Sequence, residues 1–259
     1  MKKAFTLLAF LLFAVACTAR NPGNEAHRSS TKPVLDSAVA RATAVDTGSA
    51  YPEELSFKAG GTSISIPPPT ADLVEVGCDK RQGMEILVPQ NNRLLCAFVT
   101  KGDLEGLGGD DGLPVIAKYA LVEVDRKAEA EDYEASDFSE LADAVKKTFG
   151  DISPVLRDAE EEFNSRIRSL NLDELPVSID RPTQLGCLFS KQDAYGYGML
   201  ATYLSGGARN KRGIGCTLLH VKKRVLFLYI YAKYENENTV RWLRTTAEEW
   251  ADAILRANT

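Results

Sequence analysis

Histidine is almost absent from this chain of 259 residues, which contains only His27 and His220. Hydrolytic triads built on histidine and most zinc sites need more of it. The pattern places His220 near the end of a strand, either as a lone general base or as a strand residue that faces solvent or is a satisfied polar residue at an edge. The chain also lacks the glycine patterns of nucleotide-binding proteins and the G-x-S-x-G motif of α/β-hydrolases. The sequence therefore predicts no catalytic residue, no metal site and no cofactor.

A surplus of basic charge is absent as well. The chain has 31 Lys and Arg residues against 36 Asp and Glu residues, a formal net charge of -5. The first 16 residues hold two of the lysines and no acidic residue, so cleavage after residue 16 would leave a more acidic chain. Because contacts to phosphate need a basic surface, nucleic acid is excluded from the expected partners.

The longest apolar run lies at the amino terminus. Residues 4–16 carry no charge and follow Lys2 and Lys3. This run is too short for a transmembrane helix, which needs about 20 apolar residues. Its length and its positive flank are typical of a secretion signal, so we expect residues 1–16 to be a signal peptide that is removed on export.

Cys17 follows this run directly, and two interpretations are open. Residues 14–17 read Ala-Val-Ala-Cys and resemble a bacterial lipobox, with Ala14 in place of the usual leucine. The resemblance implies that Cys17 is diacylated and anchors the protein to a membrane. In the alternative, ordinary signal peptidase uses Ala14 and Ala16 as an A-x-A site and leaves Cys17 as a free thiol. We favour lipid attachment, because an exposed thiol is a liability in an oxidising compartment.

The predicted location follows from the same residues. Thr18, rather than aspartate, comes after Cys17, and the resemblance to bacterial lipoproteins then implies transport to the outer membrane, facing the periplasm. A soluble periplasmic or secreted protein is the alternative. Residues 17–50 contain few large aliphatic side chains and are rich in Ala, Ser and Thr, so we expect the lipid attachment site to be followed by a flexible tether. Residues 51–259 are predicted to form a single α+β domain.

Alternating and helical patterns divide this domain into elements. Strands are predicted at residues 62–66, 84–88, 94–99, 119–124, 184–190, 195–204, 213–221 and 225–231. The second and third of these are predicted to form a hairpin, and the last four an antiparallel meander. Helices are predicted from a cap at Ser136 to Phe149, from Ser153 to Leu170, and over residues 238–256. Loops are predicted at residues 102–112 and 206–212.

The strand at residues 225–231 determines the predicted architecture. Val225, Phe227, Tyr229 and Tyr231 fall on one of its faces, and Leu226, Leu228 and Ile230 on the other. A strand that is apolar on both faces must be covered on both. We therefore expect an α+β fold with a central, mainly antiparallel sheet, covered on one side by the helices of residues 136–170 and on the other by the closing helix. The buried stripe of that helix is predicted to be Leu243, Ala247, Trp250 and Ile254.

Two groups of residues are candidates for contact with a ligand or partner. Arg209, Lys211 and Arg212 lie in the predicted loop and could bind a phosphate, a carboxylate or an acidic partner, or could simply keep a turn solvated. Tyr195, Tyr197 and Tyr203 fall on one face of a predicted strand and form either a binding face or part of the core. Gly196 and Gly198, on its other face, are expected to admit a helix close to the sheet.

Four cysteines remain beyond Cys17: Cys78, Cys96, Cys187 and Cys216. They allow two disulfides in three pairings, and buried reduced thiols are the alternative. A simple meander places Cys187 and Cys216 two strands apart, which is too far for a disulfide at about 4.8 Å per strand.

The layout resembles the PsbP-like fold. A short strand ending at the prolines 67–69, a middle helix, a long meander and a closing helix with Trp250 carry this resemblance, which covers residues 55–256. Residues 225–231, continuing to Trp242 and Trp250, are also similar to uncharacterised exported proteins of proteobacteria. The resemblance implies a periplasmic or secretion-associated protein and assigns no functional residue.

Three functions compete at this point. The signal sequence and the missing catalytic motif favour a non-enzymatic envelope lipoprotein with a binding or structural role. An immunity protein or secretion-associated adaptor that binds one protein partner is the first alternative. The second is an enzyme that acts on cell-wall material with carboxylates alone, which would need two acidic groups in a cleft.

Overall fold

A computed structural model describes residues 55–107, 116–148, 153–169, 178–205 and 208–259. The predicted signal peptide, Cys17 and the predicted tether lie outside these residues, as do Phe149 and Leu170. No helix in the described ranges is both long and apolar enough to cross a membrane.

The described residues form nine strands and five helices. In chain order they are β1 (Ser56–Ala59), β2 (Thr62–Ser65), β3 (Leu73–Glu75), α1 (Cys78–Glu85), β4 (Asn92–Thr100), α2 (Lys101–Gly106), β5 (Lys118–Asp125), α3 (Ala135–Thr148), α4 (Ser153–Ser169), β6 (Ser178–Ser190), β7 (Ala194–Ser205), β8 (Ala208–Val221), β9 (Arg224–Lys233) and α5 (Glu237–Ala257).

Seven of the strands form one sheet in the order β3-β4-β5-β9-β8-β7-β6. Every neighbouring pair in it is antiparallel. β1 and β2 form a separate two-stranded sheet, and β2 is the strand predicted at residues 62–66. The predicted α+β class and the predicted four-stranded meander are both confirmed.

β9 is the middle strand of the seven and is buried on both faces. Phe227 and its odd-numbered neighbours lie in one buried cluster, and Leu228 and its even-numbered neighbours lie in the other. We call the first side of the sheet the α3 face and the second the α5 face. This strand is therefore the central one that the apolar pattern predicts.

Helices cover both faces of the sheet. On the α3 face the covering side chains are Phe138, Leu141, Ala142 and Val145 of α3 and Phe163 of α4. On the α5 face they are Leu243, Ala247, Trp250 and Ile254 of α5, the predicted stripe. The expected order of layers, helix on sheet on helix, is confirmed for the described part of the chain.

The predicted strand at residues 84–88 is wrong. Met84 belongs to α1, and turns follow it up to the start of β4. The pairing partner of β4 on this side is β3, which has only three residues. Met84, Leu87 and Val88 are nevertheless buried. A short apolar run predicts that its residues are buried. Its periodicity alone does not show whether they form a strand or a helical turn.

The predicted loop at residues 102–112 is wrong in its first part, because α2 occupies Lys101–Gly106. Thr100 caps this helix, since its Oγ1 accepts a hydrogen bond from the backbone N–H of Asp103 at 3.2 Å. The remaining residues of the predicted loop, 108–112, lie outside the described ranges.

The predicted cap at Ser136 is also wrong, although the helix itself is confirmed. α3 begins at Ala135, so Ser136 lies inside it. The backbone N–H of Glu134 donates to Oδ2 of Asp137 at 2.9 Å, as in the returning half of a capping box. α4 begins at Ser153, as predicted, and its Phe163 is buried.

Candidate functional site

The α3 face of the sheet is rich in buried tyrosines. Six of them are less than one-tenth exposed: Tyr119 of β5, Tyr195, Tyr197 and Tyr203 of β7, and Tyr229 and Tyr231 of β9. Burial raises the pKa of the Tyr203, Tyr229 and Tyr231 hydroxyls above the ordinary value, so these groups stay protonated and remain potential hydrogen-bond donors. The tyrosine face predicted for β7 is therefore part of the core.

Arg212 of β8 lies among these tyrosines with only 3% of its surface exposed. Its Nε and Nη1 are buried and have no hydrogen-bond partner among the described residues. The guanidinium carbon lies 5.8 Å from the centre of the Tyr119 ring. That ring is stacked on Tyr231, with 4.4 Å between their centres. The guanidinium thus lies over one aromatic ring, which is itself stacked on a second.

The strand register places further groups beside Arg212. Arg212 is paired with Ala201 of β7 and with Lys233 of β9, and paired residues share a face of the sheet. Tyr203 is a diagonal neighbour on the same face, and its buried hydroxyl has no hydrogen-bond partner in the described ranges. Burial raises the pKa of the Tyr203 hydroxyl, and the positive charge of Arg212 acts on it in the opposite direction.

The charge of Arg212 is only partly compensated. A guanidinium always keeps its proton, so burial cannot neutralise it. The effective cost of burying such an ion is several kcal/mol, whereas a cation–π contact returns about 0.5–2 kcal/mol. Within the described ranges neither Arg212 nor Lys233 forms an ion pair with a carboxylate. We call Arg212, Tyr203, Tyr119 and Lys233 the arginine site. Its chemistry suits the binding of an anion.

Arg209, Lys211 and Arg212 do not form one basic surface. All three lie in β8, so the loop predicted at residues 206–212 is wrong; the two residues between β7 and β8 lie outside the described ranges. Alternation places Arg209 and Lys211 on the α5 face, opposite to Arg212. Arg209 is exposed and pairs with Asp180 at 2.9 Å. The Lys211 ammonium lies 4.4 Å from the centre of the Tyr234 ring.

Gly196 and Gly198 do not admit a helix, contrary to expectation. A Cβ at Gly196 would lie 2.3 Å from Cε1 of Phe189, and one at Gly198 would lie 2.7 Å from Cδ2 of Leu188. Both side chains belong to the neighbouring strand β6. The close approach of a helix occurs instead at Gly213, where an added Cβ would lie 2.6 Å from Cδ1 of Leu243 in α5.

His220 has a structural role. Its Nδ1 lies 3.0 Å from Oδ1 of Asp193, and its Nε2 lies 2.8 Å from the backbone oxygen of Tyr133. The ring is stacked on Phe138 of α3, with 5.4 Å between the ring centres. Both ring nitrogens are occupied, so the interpretation as a satisfied polar residue is confirmed. His220 links the end of the sheet to the start of α3.

The four cysteines of the described part are free thiols. Cys96 and Cys216 are buried, and burial raises the pKa of both thiols well above the ordinary value, whereas Cys78 and Cys187 are exposed. Cys187 pairs with Tyr197, and Tyr197 pairs with Cys216 on its other side, so the two cysteines are two strands apart, as predicted. The described residues contain no group of three or more His, Cys, Asp or Glu side chains that could hold a metal ion.

Sequence reasoning selected Arg212 for the wrong reason and missed Tyr119 and Lys233. A signal for the position of Arg212 is present in β8. Arg212 lies two residues before Ile214 and therefore on the same face of the strand as Ile214, Cys216 and Leu218, all of which are buried. An arginine at the next position of an inward-facing series is predicted to face inward. Tyr119 could not be found in this way, because the pairing of β5 with β9 joins distant parts of the chain. The position of Lys233 follows from the register of the β8–β9 hairpin, which pairs it with Arg212.

The fold and the arginine site define a class: an α+β protein with a seven-stranded antiparallel sheet between helical layers and a buried, partly compensated arginine. No protein-family model matches the chain, and no curated protein matches it significantly.

Several solved structures are similar in layout. One is a point mutant of the protein Mog1, with a TM-score of 0.32 and 11% identity over 79% of this chain and 94% of that one. Another is the Saccharomyces cerevisiae Ran-binding protein Mog1p, with a TM-score of 0.29 and 11% identity over 76% and 89%. A third is cyanobacterial PsbP (CyanoP) from Synechocystis sp. PCC 6803, with a TM-score of 0.32 and 9% identity over 83% and 96%. The likeness to PsbP is one of general layout, and no residue or ligand is transferred from any of these proteins.

Proposed function

We propose that this chain is a non-enzymatic lipoprotein of the bacterial cell envelope, of proteobacterial type, whose folded domain has a binding role. The observation that carries the proposal is the amino-terminal sequence, in which two lysines and an apolar run lead directly to Ala14-Val15-Ala16-Cys17. In this proposal Cys17 carries the lipid, residues 18–50 are the tether, and the outer membrane holds the domain in the periplasm. Several acyl chains on one residue anchor far better than a single chain does.

The binding role is supported by the arginine site. Structural cores satisfy their buried polar groups, and each exception calls for an explanation. Arg212 is such an exception within the described residues, because two of its nitrogens have no partner. A purely structural domain would gain nothing from a buried, partly compensated charge. Of the two roles, binding and structural, the binding role is therefore the better supported.

The lipid anchor is tested by the Cys17→Ser substitution in cells that are fed a fatty acid with a chemical label. We expect the native chain to incorporate the label and to sediment with membranes. The Cys17→Ser variant should lose the label and appear in the soluble fraction, because its acylation site is gone. Cys78→Ser is the matched control, since Cys78 is an exposed thiol in the folded domain, and it should behave as the native chain does. Membrane attachment that survives Cys17→Ser would refute the lipoprotein proposal.

A further inference from the structure

We propose that the arginine site is a binding site for an anionic group, a carboxylate or a phosphate, carried by a small molecule. This inference rests on the binding role proposed above and not on the lipid anchor. Nε and Nη1 of Arg212 and the hydroxyl of Tyr203 have no partner among the described residues, and the Tyr119 ring lies beside the guanidinium.

The geometry of arginine favours these ligands. A guanidinium presents its N–H groups as a planar fork, which matches two oxygens of a carboxylate or phosphate group. Nη2 forms one donor edge with Nε and a second with Nη1, and neither Nε nor Nη1 has a partner among the described residues. An anion that accepts hydrogen bonds along either edge would also neutralise the buried charge. Cations are disfavoured, because Arg212 and Lys233 lie together on this face and neither pairs with a carboxylate in the described part of the chain.

The register of the sheet places the site next to an exposed residue. Arg212 is paired with Lys233, which is the last residue of β9 and is exposed. β5 begins close by, because the backbone N–H of Lys233 donates to the oxygen of Ala117 at 3.0 Å. The guanidinium therefore lies close to the end of the sheet, and the Lys233 ammonium at the rim adds to the attraction of an incoming anion.

The test measures the melting temperature of the full-length mature chain in sodium phosphate and in sodium acetate, each against sodium chloride of the same ionic strength. A ligand that binds only the folded state stabilises it, so each tenfold increase above the dissociation constant should raise the melting temperature by about 3–6 °C. A response to phosphate alone assigns a phosphorylated ligand, a response to acetate alone assigns a carboxylate ligand, and either supports the site. A melting temperature that responds to neither anion would overturn it.

Two arginine variants locate the response. Arg212→Met removes the fork, and we expect it to weaken anion binding by about 10- to 100-fold, as loss of charged hydrogen bonds does. Arg209→Met is the matched control, because it removes the same charge from an exposed residue on the opposite face of the same strand, and it should respond as the native chain does. An Arg212→Met variant that keeps the native response would also overturn the proposal.

A third variant keeps the proposal testable if Arg212→Met does not fold. Arg212→Lys retains the positive charge but loses the planar fork. We expect it to bind the responding anion at least about tenfold more weakly. The ultraviolet absorbance of the buried tyrosines should change on titration of the native chain with that anion and should not change in Arg212→Lys. Equal affinities in the two proteins would refute the assignment to Arg212. Because Cys17 labelling is measured independently, failure here leaves the lipoprotein proposal unaffected.

Discussion

Adjacent residues of β9 belong to different cores. Phe227 packs on the α3 face and Leu228 on the α5 face, and both are buried. Phe227→Ala and Leu228→Ala should therefore each lower the free energy of unfolding by about 2–5 kcal/mol, through lost burial and the cavity left behind. Denaturant titration measures both values. Gln192→Ala in the exposed turn between β6 and β7 is the control and should stay within about 0.5 kcal/mol. A large loss for only one of the two would contradict a strand covered on both faces.

At this scale the sequence predicts which residues are buried better than what they contact. The alternation of β9 assigned Phe227 and Leu228 to opposite faces, as observed. Alternation is local and depends only on the strand period. The contact of Arg212 with Tyr119 depends on β5 lying beside β9, which in turn lies beside β8. That order joins residues more than a hundred positions apart, which a local pattern cannot report.

Among the elements, α5 has a second task besides covering the sheet, because its carboxyl end holds the β1–β2 hairpin. The side chain of Asn258, just after α5, accepts a hydrogen bond from the backbone N–H of Ser65 at 2.9 Å and donates to the Ser65 oxygen at 2.8 Å. The indole N–H of Trp250 donates to the backbone oxygen of Pro67 at 2.8 Å. The last helix thus fixes the first strands of the described fold.

Asn258→Ala tests this connection. The substitution leaves both backbone groups of Ser65 without their partner, so we expect local opening of the hairpin to become easier by about 1–3 kcal/mol. Amide hydrogen exchange at Ser65 should accelerate, while exchange in β9 should change far less. Thr259→Ala, which removes an exposed hydroxyl that donates to the backbone oxygen of Arg256, should leave Ser65 unchanged. Equal exchange at Ser65 in both variants would show that the hairpin is held by other contacts.

The longest elements are predicted correctly, because they are periodic. β7, β8, β9, α3 and α5 all extend for ten residues or more and repeat their apolar pattern several times. The missed elements are short: β1, β3, α1 and α2 have eight residues or fewer. One or two turns of helix give too few repeats for a period to emerge. Their conformation depends on tertiary contacts, as when Lys80 of α1 donates to the backbone oxygen of Leu104 in α2.

The proposed arrangement of the whole molecule, an anchored end, a tether and a folded domain, predicts a specific pattern of proteolysis. The composition of residues 18–50 predicts that this segment buries too little surface to resist a protease, whereas cleavage in the sheet requires opening of a core that both helical layers cover. Dilute protease should therefore convert the native chain to one stable fragment that begins between residues 18 and 55, as measured by mass spectrometry, and this fragment should keep the melting temperature of the intact chain. The destabilised Leu228→Ala variant is the control, because it should be cut in the domain as well, in proportion to its larger unfolded population. If residues 18–50 resist the protease as well as the domain does, this segment packs against the domain. The molecule would then have no tether.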